Sequence, residues 1–318
     1  HYIILILSIP LAILAEDRLR LKRADVLENV VIDGQAVQYL NGNVVFEKGA
    51  MIINCAKAIN IEKTGQGSMI GNVKVVNDNQ SLTCDSLHYD SPNDILHGFG
   101  NARIWDNDYD LLADTLVYYS KLDSGIARGN AELTQKSQII TSHSIYYAKH
   151  TGEDAVSYTA KGDVTILEDE RKATCGLAIY NREDQTTWLK LNPNVTEKDQ
   201  TMAGSEIILR YKDEVMEHLY IPEQAHVTTL TKGLREIKIS LNDTTTTRSE
   251  VQFVDDLTGS SLQGFFDAGQ MDSLQVEGMA TSLYHIFEDS IYQGKNIASG
   301  DTIIMSFEEN NLDHIVVS

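Results

Sequence analysis

The fold is decided by the stretch GNVKVVNDNQSLTCDSLHYD at residues 71–90, which a near copy, GNARIWDNDYDLLADTLVYY, follows at residue 100. Both copies contain Gly-Asn, an alternating apolar segment, a polar turn, a small residue, and then an apolar residue before Tyr. Glycines open successive copies at intervals of about 29 residues, and spacing of this regularity indicates structural repeats. They are Gly42, Gly71, Gly100, Gly129 and, after a slightly longer interval, Gly162.

The residues after each glycine alternate between apolar and polar, which predicts strands with one dry face. The apolar positions recur in five copies: Val44/Phe46, Val73/Val75, Ala102/Ile104, Ala131/Leu133 and Val164/Ile166. We predict two strands of about five to nine residues in each copy, joined by polar turns. One copy is too short to bury its apolar face alone, so neighbouring copies must stack into a continuous core.

The three cysteines occupy one position of the repeat. Cys55 lies one repeat length before Cys84, and Cys175 opens the equivalent segment CGLAIY. Alanine and serine occupy this position in other copies, which indicates a small, inward-facing side chain. There is no Cys-x-x-Cys spacing, so neither a disulfide framework nor a zinc site is predicted. Pairing of Cys55 with Cys84 stays open, because it depends on how adjacent copies align.

Composition limits the partners of the chain. Its 318 residues carry a formal net charge of −20. Such a charge is unfavourable for binding nucleic acid, whose phosphates select a basic face, and for adsorption to anionic membranes. We therefore predict no nucleic-acid partner.

The N-terminus indicates export. Ile3 to Ala15 is an apolar run that ends in a small residue and is followed by charges. It is short for a membrane span but suits a secretory signal, so residues 1–15 are predicted to be a signal peptide. A buried strand and a short membrane anchor are the alternatives.

The Thr-rich stretch at 241–250 is predicted to be a loop between repeats at 24–240 and 251–318 that continue one body.

The candidate motifs for metal or cofactor chemistry lack residues that this chemistry requires. DNDYDLLAD at residues 106–114 has the rhythm of a calcium loop, but Leu111 and Val117 stand where an EF-hand needs Gly and Glu. We interpret it as a solvated turn and predict no metal, cofactor or catalytic residue. An alternative is a polysaccharide-active enzyme on a β-helix scaffold, with carboxylates stacked at the equivalent positions Asp85 and Asp114.

Taken together, Gly-Asn-Val/Ala followed by Ala/Cys-Asp-x-Leu-x-Tyr resembles the OstA-like family of periplasmic lipopolysaccharide-transport β-jellyroll proteins, which includes LptA and the N-terminal domain of LptD. The resemblance covers roughly residues 26–317. It implies an all-β, elongated, twisted, open β-jellyroll built from the two-strand repeats of about 29 residues. It also implies a periplasmic carrier or bridge that is not an enzyme and uses no cofactor.

The implied ligand is lipopolysaccharide, with its lipid A acyl chains inside and its sugars outside. The groove-lining candidates are the alternating set: Val44, Phe46, Val73, Val75, Ala102, Ile104, Ala131, Leu133, Val164 and Ile166. The series Leu87, Leu116 and Ile145 joins them if that face also turns inward. Exposed sheet edges predict pairing with other transport jellyrolls or head-to-tail self-association. The expected location is the periplasm, with association of the exported chain with the outer membrane as a further expectation. A structural β-repeat surface protein with a packed interior remains the second alternative.

Overall fold

The chain folds into strands joined by turns. In the computed structural model, the described residues are 19–61, 63–150, 152, 155–238, 246–308 and 311–318. These residues form 23 strands and no helix. The all-β fold predicted from the sequence is confirmed. No helix in this part of the chain is long and apolar enough to cross a membrane. The predicted signal peptide at 1–15 lies outside the described residues.

The chain divides into two compact units. The first unit comprises the described residues up to Ala131 together with Ala148–His150, and the second comprises Glu132–Tyr147 and Thr151–Ser318. The strands from the start of the chain are β1 (Arg20–Arg23), β2 (Val26–Ile32), β3 (Gln35–Lys48), β4 (Met51–Ile61), β5 (Gln66–Asn77), β6 (Gln80–Asp90), β7 (Ile95–Trp105), β8 (Tyr109–Tyr119) and β9 (Ser124–Gln135).

Consecutive strands from β2 to β8 pair antiparallel, each with the next. Strands β3 to β8 are 11 to 14 residues long, so the predicted length of five to nine residues is wrong. The reason is that Gly-Asn lies inside a strand and does not begin one. At each Gly-Asn the register shifts, for example between Ile70 and Val73 against β6, and pairing then resumes.

Each Gly-Asn forms a corner that bends the strand. Gly100 and Asn101 have φ of +72° and +46°, the left-handed region that Gly and Asn tolerate best. The amide of Asn101 donates to Asp85 Oδ2 on the preceding strand at 3.0 Å. A Cβ on Gly100 would lie 2.3 Å from that oxygen, so only glycine fits. The repeated Asp, Gly and Asn residues therefore form one structural motif, which we call the corner.

The corners divide the strands of the first unit into two layers. The halves of β3, β5 and β7 before Gly-Asn form the first layer with β2, and the halves after it form the second layer with β1. Inward-facing residues of both layers are buried, including Leu87 in the first layer and Ile104 in the second. The apolar core therefore lies between the layers.

The second unit has the same two-layer plan, built from both shorter and longer strands. Its strands are β10 (Gln138–Ala148), β11 (Ser157–Glu168), β12 (Arg171–Asn181), β13 (Thr186–Lys190), β14 (Asn194–Glu197), β15 (Gln200–Ala203), β16 (Glu206–Lys212), β17 (Val215–Ile221), β18 (Ala225–Lys238), β19 (Thr246–Gly259), β20 (Ser261–Asp267), β21 (Gln270–Glu288), β22 (Ile291–Glu308) and β23 (Asn311–Val317). Strands β13 to β15 are among the shorter ones, and β21 and β22 are among the longer ones. Residues 246–250 of the predicted loop belong to β19, because they pair with the end of β18.

Strand β12 splits between two ladders. Its second half pairs with β13, and that ladder continues through β16, β17, β20, β21 and β22 to β23. Its first half pairs with β14, and that ladder continues through β15, β18 and β19 to the second half of β21. The two ladders are the first and second layers of this unit.

The three cysteines lie in the core as free thiols. Cys55, Cys84 and Cys175 are all buried and unpaired. Val73 lies opposite Cys84 on the strand between β4 and β6, so a strand separates Cys55 from Cys84. Burial raises the pKa of both these thiols to about 11, which makes them unreactive at neutral pH. The small, inward-facing position predicted for them is confirmed.

Candidate functional site

The residues predicted to line a groove all face the space between the layers. The side chains in the first unit that belong to this set are 0 to 4% exposed: Val44, Phe46, Val73, Val75, Ala102, Ile104 and Ala131. In the second unit Leu133, Val164 and Ile166 are also buried. The series Leu87, Leu116 and Ile145 is buried as well, on the facing layer. Both layers therefore present an apolar surface to the interior.

In the first unit, hairpin ends of the two layers meet along an edge that we call the seam. Lys48, the last residue of β3, forms an ion pair with Asp94, in the turn between β6 and β7. Their side chains are only 8% and 10% exposed. Tyr89 donates to Asp94 at 2.6 Å, and Lys121 lies 3.1 Å from the same carboxylate. Buried, hydrogen-bonded charges of opposite sign hold the two layers together here.

A second buried ion pair closes the same seam. Lys149 Nζ lies 2.7 Å from Asp106 Oδ2 and 2.6 Å from Asp108 Oδ2. The stretch at 106–114 begins in a turn, as predicted, and this turn is partly solvated: the side chain of Asp108 is 34% exposed, whereas that of Asp106 is 4% exposed and pairs with lysine. Gln80 adds a hydrogen bond at this edge by donating to Asp123 at 3.1 Å. Within the described residues no group of three or more His, Cys, Asp or Glu side chains is arranged to hold a metal ion.

The interior of the second unit is less tightly packed. Two cavities of about 20 Å³ and 50 Å³ lie between its layers and share Arg171 and Leu209 in their walls. The larger is lined mainly by apolar side chains, among them Met202, Met216 and Met271. Methionine is unbranched and flexible, so such a wall deforms more easily than one of branched side chains.

The seam of the second unit opens into a larger, polar pocket of about 210 Å³. Hairpin turns between β9 and β10, β11 and β12, β12 and β13, and β16 and β17 surround it. Its described lining is mostly polar: Gln135, Lys136, Ser137, Gln138, Ala155, Glu168, Asp169, Tyr180, Arg182, Gln185, Tyr211 and Glu214. Lys136 forms an ion pair with Glu214 at the rim, where the glutamate side chain is 55% exposed. Sequence reasoning missed this pocket, because its residues come from four separate turns.

The carboxylates considered for an enzymatic site have a structural role. Asp85 and Asp114 each accept a hydrogen bond from the asparagine of their own corner, Asn101 and Asn130, at 3.0 Å. Asp25 does the same with Asn43 at 2.8 Å. The recurrence of Asp in the repeat is therefore explained by the corner.

The outer face of the first unit carries apolar side chains near its edge. Strand β2 is exposed along its whole length, and five of its seven residues are apolar. Its first residue, Val26, borders a shallow depression of about 350 Å³ together with Tyr39, Ile59 and Ile70. At the other end of the chain β23 pairs with β22 on one side. Both strands are candidates for contact with a further strand.

The family comparison agrees with the resemblance seen in the sequence. Residues 59–205 match the model of the family described as OstA-like protein. The match includes the corners at Gly71, Gly100, Gly129 and Gly162. The resemblance to OstA-like proteins is thereby confirmed for this part of the chain.

Comparison with solved structures finds a weak likeness. One match is the crystal structure of LptH, the LptA homologous periplasmic component of the conserved lipopolysaccharide transport device from Pseudomonas aeruginosa. It is 15% identical with a TM-score of 0.31, and the alignment covers 46% of this chain and 93% of that chain. A likeness at this level supports no argument about function. No curated protein matches the chain.

Proposed function

We propose that the chain is a periplasmic carrier, or bridge, that holds lipopolysaccharide by its acyl chains between the two layers. The observation that carries the proposal is the predominantly apolar interior between the two layers, built from repeats that match the OstA-like family over residues 59–205. The proposed lining is the set of ten residues predicted from the sequence, from Val44 to Ile166, with Leu87, Leu116 and Ile145 facing them. No catalytic step or cofactor belongs to this role.

The physical reason is the cost of exposing acyl chains to water. Each methylene left in water costs about 0.8 kcal/mol, so several chains cost tens of kcal/mol. A repeated corner places one layer over the other in copy after copy, and every copy adds apolar surface to the interior. Acyl chains must separate the layers to enter, because the interior of the first unit is closely packed.

The second unit offers the easier entry. Its cavities and methionine-rich wall mean that less packing is lost when the layers part. In the first unit, entry at the seam must break the Lys48–Asp94 ion pair, which is buried. We therefore place initial acyl-chain binding around Leu209 in the second unit.

The proposed partners bind at the exposed edges. An added strand on β2 would continue the first layer, and one on β23 would extend the ladder at the other end of the chain. Such strand addition suits other transport jellyrolls or a second copy of this chain, and it would place the carrier near the outer membrane. The acidic surface favours no nucleic acid.

Photo-crosslinking in an exporting, lipopolysaccharide-making host tests the proposal. A photoreactive side chain at Leu209 or at Ile104 is expected to give a lipopolysaccharide adduct. Arg103 is the matched control, because it points outward and forms an ion pair with Asp110 at 2.6 Å. Folded, exported protein that gives no adduct at either inward position would overturn the carrier role.

A structural β-repeat protein is the second candidate. The observation that favours it is the close packing of the first unit, where Phe46, Ile53 and Ile104 have no exposed surface. The same crosslinking distinguishes the two, since a permanently packed core excludes lipid from Leu209 as well as from Ile104.

A further inference from the structure

The polar pocket of the second unit lies at the seam, where the first unit has buried ion pairs. In the first unit the hairpin ends of the two layers close the seam with buried ion pairs, as between Lys48 and Asp94. In the second unit the corresponding turn-to-turn ion pair, Lys136 with Glu214, lies at the exposed rim and leaves about 210 Å³ of space beneath it. Ligand pockets for drug-sized molecules start at about 300 Å³, so this space suits a single small ring.

The pocket wall is held in place by its own contacts. Gln138 Nε2 donates to Glu168 Oε1 at 3.1 Å. The ring of Tyr180 packs against Tyr158 with their centroids 5.5 Å apart. Burial raises the pKa of Tyr211 to about 12, with Glu168 adding to the effect, so this phenol stays protonated and can donate a hydrogen bond. A wall ordered in this way needs little reorganisation when a ligand binds.

The chemistry of the wall favours hydroxyl groups. Amides, phenols, carboxylates and a guanidinium stand around one space, so donors and acceptors are mixed. A hydroxyl both donates and accepts, and a ring bearing several of them can use such a mixture. An anion such as phosphate is disfavoured, because the lining carboxylates Glu168, Asp169 and Glu214 outnumber the lining cations Lys136 and Arg182.

The pocket adjoins the apolar interior. Gln138, Glu168 and Tyr211 line both this pocket and the cavity of about 20 Å³ beneath it, which continues between apolar side chains such as Leu209. A molecule with a hydroxyl-rich ring and an attached hydrocarbon chain would match this sequence of surfaces. We infer that the pocket is a saccharide-binding site that holds one sugar ring of a glycolipid at the seam while its chain enters the interior.

This inference rests on the proposed function only for the hydrocarbon half of the ligand, so the sugar half is tested alone. The probe is the neutral disaccharide of N-acetylglucosamine, which has neither acyl chains nor phosphate. Saturation-transfer NMR of the full chain is expected to show binding. Asp169→Asn replaces an acceptor oxygen of the wall with a donor NH2 group, and Tyr180→Phe removes a hydroxyl. Each is expected to weaken binding about three- to tenfold. Asp169 has a φ of +50°, which asparagine accepts, so its replacement leaves the turn intact.

Glu170→Gln is the matched control. Glu170 lies on the same turn, outside the pocket, in an exposed pair with Lys198 at 3.6 Å. It is expected to leave sugar binding unchanged. A fluorescent long-chain fatty acid serves as the second probe, and its binding is expected to be equal in all variants.

The two probes separate the possible failures. If native protein binds the fatty acid but not the disaccharide, the saccharide site is overturned and the carrier role stands. Disaccharide binding that is unaffected by both wall variants would place the sugar elsewhere and also overturn the inference. If neither probe binds to folded protein, the carrier role fails with it.

Discussion

The two units use the same type of corner to bend their strands, but they differ at the seam. In the first unit Lys48 and Asp94 lie almost fully buried between hairpin ends of opposite layers, whereas in the second Lys136 and Glu214 meet at an exposed rim above a pocket. A buried pair resists separation because parting leaves an uncompensated charge, and an exposed pair does not. The comparison teaches that one backbone plan can make a closed edge or an open one, depending on whether the ion pairs between turns lie in the core or at the surface.

Removing one buried charge should have the largest effect. Asp94→Asn keeps the shape and the positive φ of +55° but leaves Lys48 without its carboxylate. We expect the free energy of unfolding to fall by about 3–5 kcal/mol, measured by urea denaturation. Glu214→Gln is the counterpart at the exposed rim and should cost under about 1 kcal/mol. Equal costs would erase the distinction between the two seams.

The corner should be as important for stability as the seam of the first unit. Gly100→Ala must adopt a φ of +72° and place Cβ against the Asp85 carboxylate, so we expect a loss of about 3 kcal/mol. Gly34→Ala separates the two contributions, since its φ is +75° but no atom lies within 4 Å of the added Cβ. It should cost about 1 kcal/mol in the same denaturation experiment. Equal losses would mean that the corner contact is unimportant.

Substitutions that add volume to the interior should change the stability of the two units by different but smaller amounts. Ala102→Val adds volume to the closely packed first unit and should lower the free energy of unfolding by about 1–3 kcal/mol. Ala173→Val adds the same volume beside a cavity of the second unit and should be close to neutral. Thermal unfolding of the two variants checks this, and a larger loss for the Ala173 variant would contradict the looser interior.

The effect of pH on the stability contributed by Asp94 should be confined to the acid range. Burial raises the pKa of Asp94, but hydrogen bonds from Lys48, Tyr89 and Lys121 outweigh it and hold the pKa below its ordinary 3.8. The stability that Asp94 contributes is therefore present above pH 3.8 and lost as the pH falls through the lower, folded value. The free energy of unfolding, measured from neutral pH into acid, should fall more steeply for the native protein than for Asp94→Asn. Parallel curves would show that Asp94 is not the linked group.

Local patterns made the fold and the interior predictable. The alternation around Val73 and Ile104 is sufficient to identify inward positions, because strand periodicity is a local property. The predicted strand length is wrong because it assumes that a strand begins at Gly-Asn. A bulge at Gly-Asn lets the strand continue through these two residues. The role of Asp85 could have been found, since Asp stands before Gly-Asn at the same spacing in Asp85/Asn101 and Asp114/Asn130.

The seam and the pocket could not be predicted in the same way. Lys48 meets Asp94 across 46 residues and Lys149 meets Asp106 across 43, and the residue types change from copy to copy. Such contacts depend on how turns of two layers come together, which no periodicity records. The pocket residues Tyr180 and Tyr211 likewise lie on different strands, β12 and β16, and no repeat spacing relates them.

The corner has a consequence for how such a chain arises and folds. Asp and Asn are 16 residues apart in the corners of Gly100 and Gly129 and 18 apart in that of Gly42, so the bend is specified within a single repeat length. A duplicated gene segment of that length would therefore bring its own bend with it, and contact order would stay low as copies accumulate. Growth by whole copies keeps folding local, which leaves the seam free to diversify from one copy to the next.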